Sequence, residues 1–228
     1  MDEEQKWQNE QYIFFKQEWI SKWSDLFPQK DDLKEEILKL QYDNFYCVNN
    51  AFGKLDKALS ICDFLYQLTK SKPPQDTEKI IITTLVSCAE AVYRINKPDE
   101  LVNENLVKGF FNPVKEQLNY KIRGHVGEML YQKVFEPAEI LYLVRNDYIH
   151  NGNFTGRFFR RPTSKTYFYN SGCFYFSTKE SKTNFILANS ECSLTYKDFL
   201  NIFLEAFIKN IEKYLAKKAK TSPCNIQL

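Results

Sequence analysis

Residues 77–96 constrain the architecture of this chain more than any other stretch. Ile81, Leu85, Cys88, Val92 and Ile95 fall on one helical stripe, and Ile82, Val86, Ala89 and Tyr93 on its neighbour. A helix that is apolar over two adjoining stripes cannot leave either one in water, so it belongs at the centre of a bundle. Pro98 closes it. An apolar fraction of 43% supplies enough material to surround such a helix with a real core.

Other helices follow from the same periodicity. Residues 5–27 carry Trp7, Tyr12, Phe14, Phe15, Trp19 and Trp23, with the last two at i, i+4, which predicts a helix ending at Pro28. Its aromatic load calls for packing on the rest of the domain or on a second subunit. Asp32 opens a second helix, with Glu35 placed as in a capping box. Leu33, Ile37, Leu40, Val48, Phe52, Leu55, Leu59, Cys62 and Tyr66 continue the pattern to Pro73-Pro74. One helix over 32–70 would be about 57 Å long, bent at Asn49-Asn50 or Gly53.

Residues 100–133 predict short, irregular helical pieces interrupted by Pro113, Gly124 and Gly127. Pro137 then opens a cleaner helix through Ile140, Leu141, Val144 and Tyr148, stopped by Asn151-Gly152. The last helix begins at Thr195 with Asp198 as a partial capping box, and repeats Phe199, Phe203, Ala206, Asn210 and Tyr214.

Between these two helices the character changes. Thr166–Asn170 and Cys173–Ser177 read as strands around a Ser171-Gly172 turn. The expectation is a mainly α protein: an antiparallel helical bundle with a small β-hairpin insertion before the last helix. Its parts would be an aromatic N-terminal extension (1–30), a helical domain (31–220) carrying the basic, aromatic insert (153–194), and a loose tail (221–228).

Composition excludes several classes. A net charge of +2 does not imply nucleic acid without local patches. No apolar run is long enough to span a bilayer, and the acidic start Met1-Asp2-Glu3-Glu4 does not read as a signal peptide. A cytoplasmic protein with no membrane partner is expected. Cys47, Cys62, Cys88, Cys173, Cys192 and Cys224 contain no C-x-x-C pair, and the histidines are two, His125 and His150. That is poor material for a zinc site, so no metal or cofactor is expected. Cys62 and Cys88, on apolar faces, read as small buried hydrophobes.

The chemistry concentrates at Arg145-Asn146-Asp147-Tyr148-Ile149-His150. On a helix, Asn146 and His150 share one face and Arg145 flanks it, while Val144 and Tyr148 turn to the bundle. His150 falls in the last turn, where the helix dipole favours an imidazolium. A guanidinium, a titratable ring and a short amide therefore meet at one helix end. The plain alternative is a surface arginine and a histidine that caps the helix.

Arg145-Asn146-x-x-x-His150-Asn151-Gly152 resembles the R-x4-6-H motif of HEPN domains (higher eukaryotes and prokaryotes nucleotide-binding), in particular the R-N-x-x-x-H-G variant of defence-related members. The resemblance extends to the order of elements over about residues 32–218. It includes the central helix with Ala89-Glu90-Ala91. It implies a HEPN-like bundle with metal-independent endoribonuclease activity, at a composite site shared by two protomers. By that resemblance Arg145 binds the scissile phosphate, His150 is general acid or base, and Asn146 orients the ring or a phosphate oxygen. A defence or toxin role with an antitoxin or defence-system partner is likewise implied. Toxins of the family silenced by a nucleotidyltransferase often carry Tyr two residues after the His. Gly152 stands there instead, against that form of control.

Two readings stay open at several positions. Glu90 either joins the site and orients Arg145 or pairs with Arg94 at i+4. His125, between Gly124 and Gly127, reads as a solvated loop residue. From Asn151 to Lys179 there is no acid, while Arg157, Arg160, Arg161 and Lys165 interleave with Phe154, Phe158, Phe159, Tyr167, Phe168 and Tyr169. The basic residues suit RNA phosphates, and the aromatics either stack on bases or pack the hairpin onto the bundle. The competing functions are a non-catalytic HEPN module that binds RNA or a protein as a scaffold, and a structural domain dimerising through its aromatic N-terminus.

Overall fold

The computed structural model describes residues 3–26, 30–69, 75–100, 104–118, 120–126, 129–150, 159, 171–177, 182–188, 190–192 and 194–221. The chain is mainly helical, as its periodicity predicts. Its elements are α1 (Glu3–Trp23), α2 (Asp31–Leu38), α3 (Tyr42–Thr69), α4 (Gln75–Tyr93), α5 (Glu104–Phe111), β1 (Tyr120–Val126), β2 (Met129–Phe135), α6 (Pro137–His150), β3 (Ser171–Ser177), β4 (Lys182–Ala188), β5 (Ser190–Cys192) and α7 (Tyr196–Thr221). Short 3-10 turns follow α1 and α5. The chain divides into two compact units, Met1–Asn50 with Ile211–Leu228, and Ala51–Asn210.

In the first unit, the i, i+4 pair Trp19 and Trp23 is buried on one face of α1, with ring centroids 6.5 Å apart. Trp19 and Tyr12 both meet Phe45 edge-on, at 5.5 and 5.6 Å. The long helix expected over 32–70 is interrupted at Lys39–Gln41, and α3 runs unbroken through Asn49, Asn50 and Gly53. Lys16 accounts for the break. Its Nζ donates to the carbonyls of Leu38 (2.8 Å) and Leu40 (2.5 Å), oxygens that a continuous helix would give to its own next turn. The Asp32/Glu35 capping box is not formed. The helix begins a residue earlier, at Asp31, and its N-cap Lys30 makes no side-chain cap bond.

In the second unit, α4 is the central helix. Ile81, Leu85, Cys88 and Val92 of one stripe and Ile82, Val86, Ala89 and Tyr93 of the other are all buried. Helix α4 packs against α5 and α6. The face of α7 predicted by Phe199, Phe203, Ala206 and Asn210 is buried as well. Phe203 lies 5.1 Å from Phe110 and 6.1 Å from Phe111 between ring centroids, and Phe207 meets Phe52 edge-on at 4.8 Å. Asn210 Nδ2 donates to the carbonyls of Phe110 and Ala206, and Asn96 Nδ2 donates to the Asn210 carbonyl. The Tyr93 ring lies against α5 at Gly109, where any Cβ would fall on the ring. The predicted α7 cap is present: Asp198 N–H donates to Thr195 Oγ1 (3.2 Å) and Thr195 N–H to Asp198 Oδ2 (3.0 Å).

Because Phe203 is fully buried among other rings, Phe203→Ala should destabilise the chain by about 3–5 kcal/mol. Urea unfolding of wild type and variant measures this. A midpoint shift worth under 1 kcal/mol would mean that the ring cluster is not a close-packed core.

Cys62 and Cys88 are buried and free, and burial pushes both thiols up to about 12. They act as small hydrophobes, as expected.

Two expectations about strands are corrected. Residues 120–126 and 129–135 are not helical pieces: β1 and β2 pair antiparallel, with Ile122 opposite Phe135 and Gly124 opposite Lys133. Ile122, Val126, Tyr131, Val134 and Phe135 favour a pleated chain, and Gly124 sits at a register shift within it. His125 is therefore a strand residue, paired with Ile186, and not part of a loop. Ser171-Gly172 is not a turn; both residues lie in β3, opposite Ala188 and Leu187 of β4. The Thr166–Asn170 half of the expected hairpin lies outside the described residues. The sheet runs β2-β1-β4-β3, with β5 also on β1. The β1 partners step from His125↔Ile186 to Ile122↔Ser190, a one-residue offset between β4 and β5.

Candidate functional site

Helix α6 is built to present its C-terminal turns. Pro137 occupies the first helical position, and the Glu136 N–H donates to Glu139 Oε2 at 2.8 Å, half of a capping box. Glu139 is also held by Lys108 at 3.3 Å. Ala138, Ile140, Leu141 and Val144 are buried and seat the helix. Tyr148 is half-buried and Ile149 is 49% exposed.

Arg145 follows the buried Val144 and turns toward α4. Its Nη2 lies 3.2 Å from Glu90 Oε2, with the two side chains only 17% and 6% exposed. Its Nη1 donates to Asn146 Oδ1 at 3.3 Å. Of Arg94 and Arg145, it is Arg145 that Glu90 binds. This acid was legible in the sequence as a charge inside the Ala89-Glu90-Ala91 stretch of the most apolar helix. Its partner was not, because i+4 spacing favours Arg94 and only the packing of α4 on α6 brings Arg145 closer.

The pair is incomplete. Glu90 Oε1 and Arg145 Nε are buried with no hydrogen-bond partner among the described residues. Leaving such atoms unpaired costs on the order of 1–3 kcal/mol each. Burial pushes the Glu90 carboxyl above the usual carboxylate range, against the opposing pull of Arg145 and then Arg94. Tyr142, one turn before Arg145, is raised too, first by burial, with Arg145 opposing and Glu90 and Glu104 adding to the rise. Tyr142 belongs to no motif, and its i, i+3 relation to Arg145 is the one sequence signal for it.

His150 is the last residue of α6, about 7.5 Å along the axis from Arg145. Its side chain and that of Asp147 lie outside the described residues. Arg145 and Asn146 are thus in direct contact, and His150 follows them on the same helix. Arg157, Arg160, Arg161 and Lys165 lie outside the described residues, as does Asn151-Gly152. Phe159 corrects part of the base-stacking alternative. It is buried, its N–H donates to Glu78 Oε2, and its ring meets Tyr196 and Phe199 at 5.6 Å each. For that aromatic the packing reading holds.

Chemically, the described part of the site offers a cation fixed by a buried acid, a side-chain amide beside it, and a helix end that carries the histidine. No group of three or more His, Cys, Asp or Glu able to hold a metal occurs among the described residues. No helix among them is long and apolar enough to cross a membrane. No family model, curated protein or solved structure matches the chain.

Proposed function

We propose that the chain is a metal-independent endoribonuclease of HEPN type, a helical bundle with a β-hairpin insertion before its last helix. The reading rests on one observation above the others: Arg145, first residue of the motif, is held by the buried Glu90 five residues before the helix-terminal His150. That contact keeps a charged guanidinium on the helix that ends at the histidine, where a phosphate can compete with the carboxylate for it.

In this reading RNA supplies its own nucleophile. The 2′-oxygen attacks phosphorus while its proton passes to a base. The P–O2′ bond forms, the P–O5′ bond breaks, and the departing 5′-oxygen takes a proton. The products are a 2′,3′-cyclic phosphate and a 5′-hydroxyl. Arg145 faces the charge on the non-bridging oxygens, and His150 serves as the acid or base. Asn146, already accepting from Arg145, positions the guanidinium, and by the family resemblance it orients the ring or a phosphate oxygen. One chain supplies one such pair, and a homodimer brings two together. A cytoplasmic defence or toxin effector, with an antitoxin or defence-system partner, is the setting that the family resemblance suggests.

A second reading has its own support. The same Glu90–Arg145 contact also suits a structural pair, in a non-catalytic HEPN module that binds RNA or a protein as a scaffold. Incubating the full chain with labelled single-stranded RNA in EDTA separates the two. Cleavage supports the nuclease, whereas salt-dependent binding without cleavage supports the scaffold. Light scattering tests the composite site, because an active strict monomer contradicts it.

Arg157, Arg160, Arg161 and Lys165 are proposed to hold the RNA backbone. Reversing charge at Arg160 and Arg161 should weaken RNA binding by about tenfold or more at low salt and flatten its salt dependence. A filter-binding series from 50 to about 200 mM salt measures both. An unchanged slope removes the segment from the RNA path.

A further inference from the structure

We propose that Glu90 is a proton-operated latch on Arg145: the charged carboxylate holds the guanidinium between α4 and α6, and the protonated carboxyl releases it to an incoming phosphate. The latch rests on the reading of Arg145 as the phosphate-binding group.

Its basis is the incompleteness of a buried pair. The contact joins one carboxylate oxygen, Oε2, to one guanidinium nitrogen, Nη2, at 3.2 Å. Oε1 and Nε, the atoms that would complete a two-point fork, have no hydrogen-bond partner among the described residues. A phosphodiester carries the same charge as a carboxylate and presents two oxygens, so it can satisfy the fork that Glu90 leaves half-used. The groups that act on the carboxyl or on its neighbours come from three elements. Helix α6 contributes Arg145, Tyr142 and Asn146, and the turn after α4 contributes Arg94. Helix α5 contributes Glu104, whose charge reaches Tyr142 and is itself paired with Lys108.

Once Arg145 turns to phosphate, Glu90 is left buried with the more exposed Arg94 as its remaining cation. An isolated buried carboxylate is strongly disfavoured, so the group takes up a proton from solvent. Phosphate binding at Arg145 is then coupled to uptake of one proton, and it strengthens as pH falls. Burial already holds the Glu90 carboxyl above the ordinary carboxylate range, which moves this coupling toward neutral pH.

The test uses the full chain and two readouts. The Arg145 Nε–Hε resonance in nitrogen-15 spectra is assigned as the signal lost in Arg145→Lys. In the free wild type it should titrate with a midpoint above the usual carboxylate range, and in Glu90→Gln it should stay fixed. A resonance that does not move in the wild type, or moves equally in Glu90→Gln, overturns the latch. The second probe is a 2′-O-methyl RNA oligonucleotide, which binds without a nucleophile to cleave it. Its affinity should rise by up to about tenfold per pH unit lowered, at the limit of one proton taken up. Glu90→Gln should remove that rise, and an identical profile in both proteins overturns the latch. If Glu90→Gln does not fold, the wild-type resonance still decides the matter. A titrating resonance together with the pH-dependent rise in oligonucleotide affinity, in a protein that never cleaves unmodified RNA, supports the latch and sinks the nuclease reading alone.

Discussion

Arg145→Ala is expected to lower the rate of RNA cleavage at least a hundredfold, and His150→Ala by a similar factor or more. One preorganised donor to developing negative charge contributes about 10²–10³ in rate, and one general acid or base about 10²–10⁴. The two losses should have different signatures. Arg145→Lys keeps a charge but not the planar fork, so it should remain deeply impaired. His150→Ala should leave RNA affinity nearly intact, because in the proposed mechanism the ring acts on protons and not on the phosphate charge. A competitive binding assay beside single-turnover cleavage distinguishes these effects. If Arg145→Lys cleaves at the wild-type rate, the guanidinium geometry has no part in the chemistry.

Glu90→Ala is expected to cost on the order of 3 kcal/mol of stability, the scale for stranding one member of a buried ion pair. The stranded group is Arg145, whose side chain is 17% exposed. Glu90→Gln should recover part of the loss, since its amide oxygen can still accept from Nη2. The two substitutions also separate in pH. The folded chain raises the Glu90 carboxyl above its ordinary value, so it binds that proton more readily than the unfolded chain. Wild-type stability should therefore rise, relative to Glu90→Gln, as pH falls from neutral toward the ordinary carboxylate range. Thermal or urea unfolding across that interval measures the difference. A wild type that instead loses stability relative to Glu90→Gln over this interval would mean that the ion pair outweighs its desolvation.

Helical periodicity made the bundle legible. The two stripes of α4 and the Phe199, Phe203, Ala206 and Asn210 face of α7 are buried as their spacing predicts, because amphipathic spacing reports burial directly. The break between α2 and α3 was not legible, since it depends on Lys16, some twenty residues away, reaching the Leu38 and Leu40 carbonyls. The strands at 120–126 and 129–135 were not legible because Gly124 and Gly127 resemble helix breakers, while the pairing that places β1 in a sheet lies partly at 185, 186 and 190–192. The site divides in the same way. Arg145 and Asn146 stood out as a local pattern on one helix, and their contact is local. Glu90 needed the packing of α4 on α6 to declare its partner.

Cleavage is proposed to pass through Arg145 and His150, with the RNA's own 2′-hydroxyl as nucleophile. The most direct measurement is the chemical identity of the 3′ ends, read by mass spectrometry after wild type and His150→Ala each meet single-stranded RNA in EDTA. Wild type should leave 2′,3′-cyclic phosphate ends, and His150→Ala should leave the RNA intact. Cleavage that survives the substitution, or 3′-hydroxyl ends from the wild type, would contradict this mechanism.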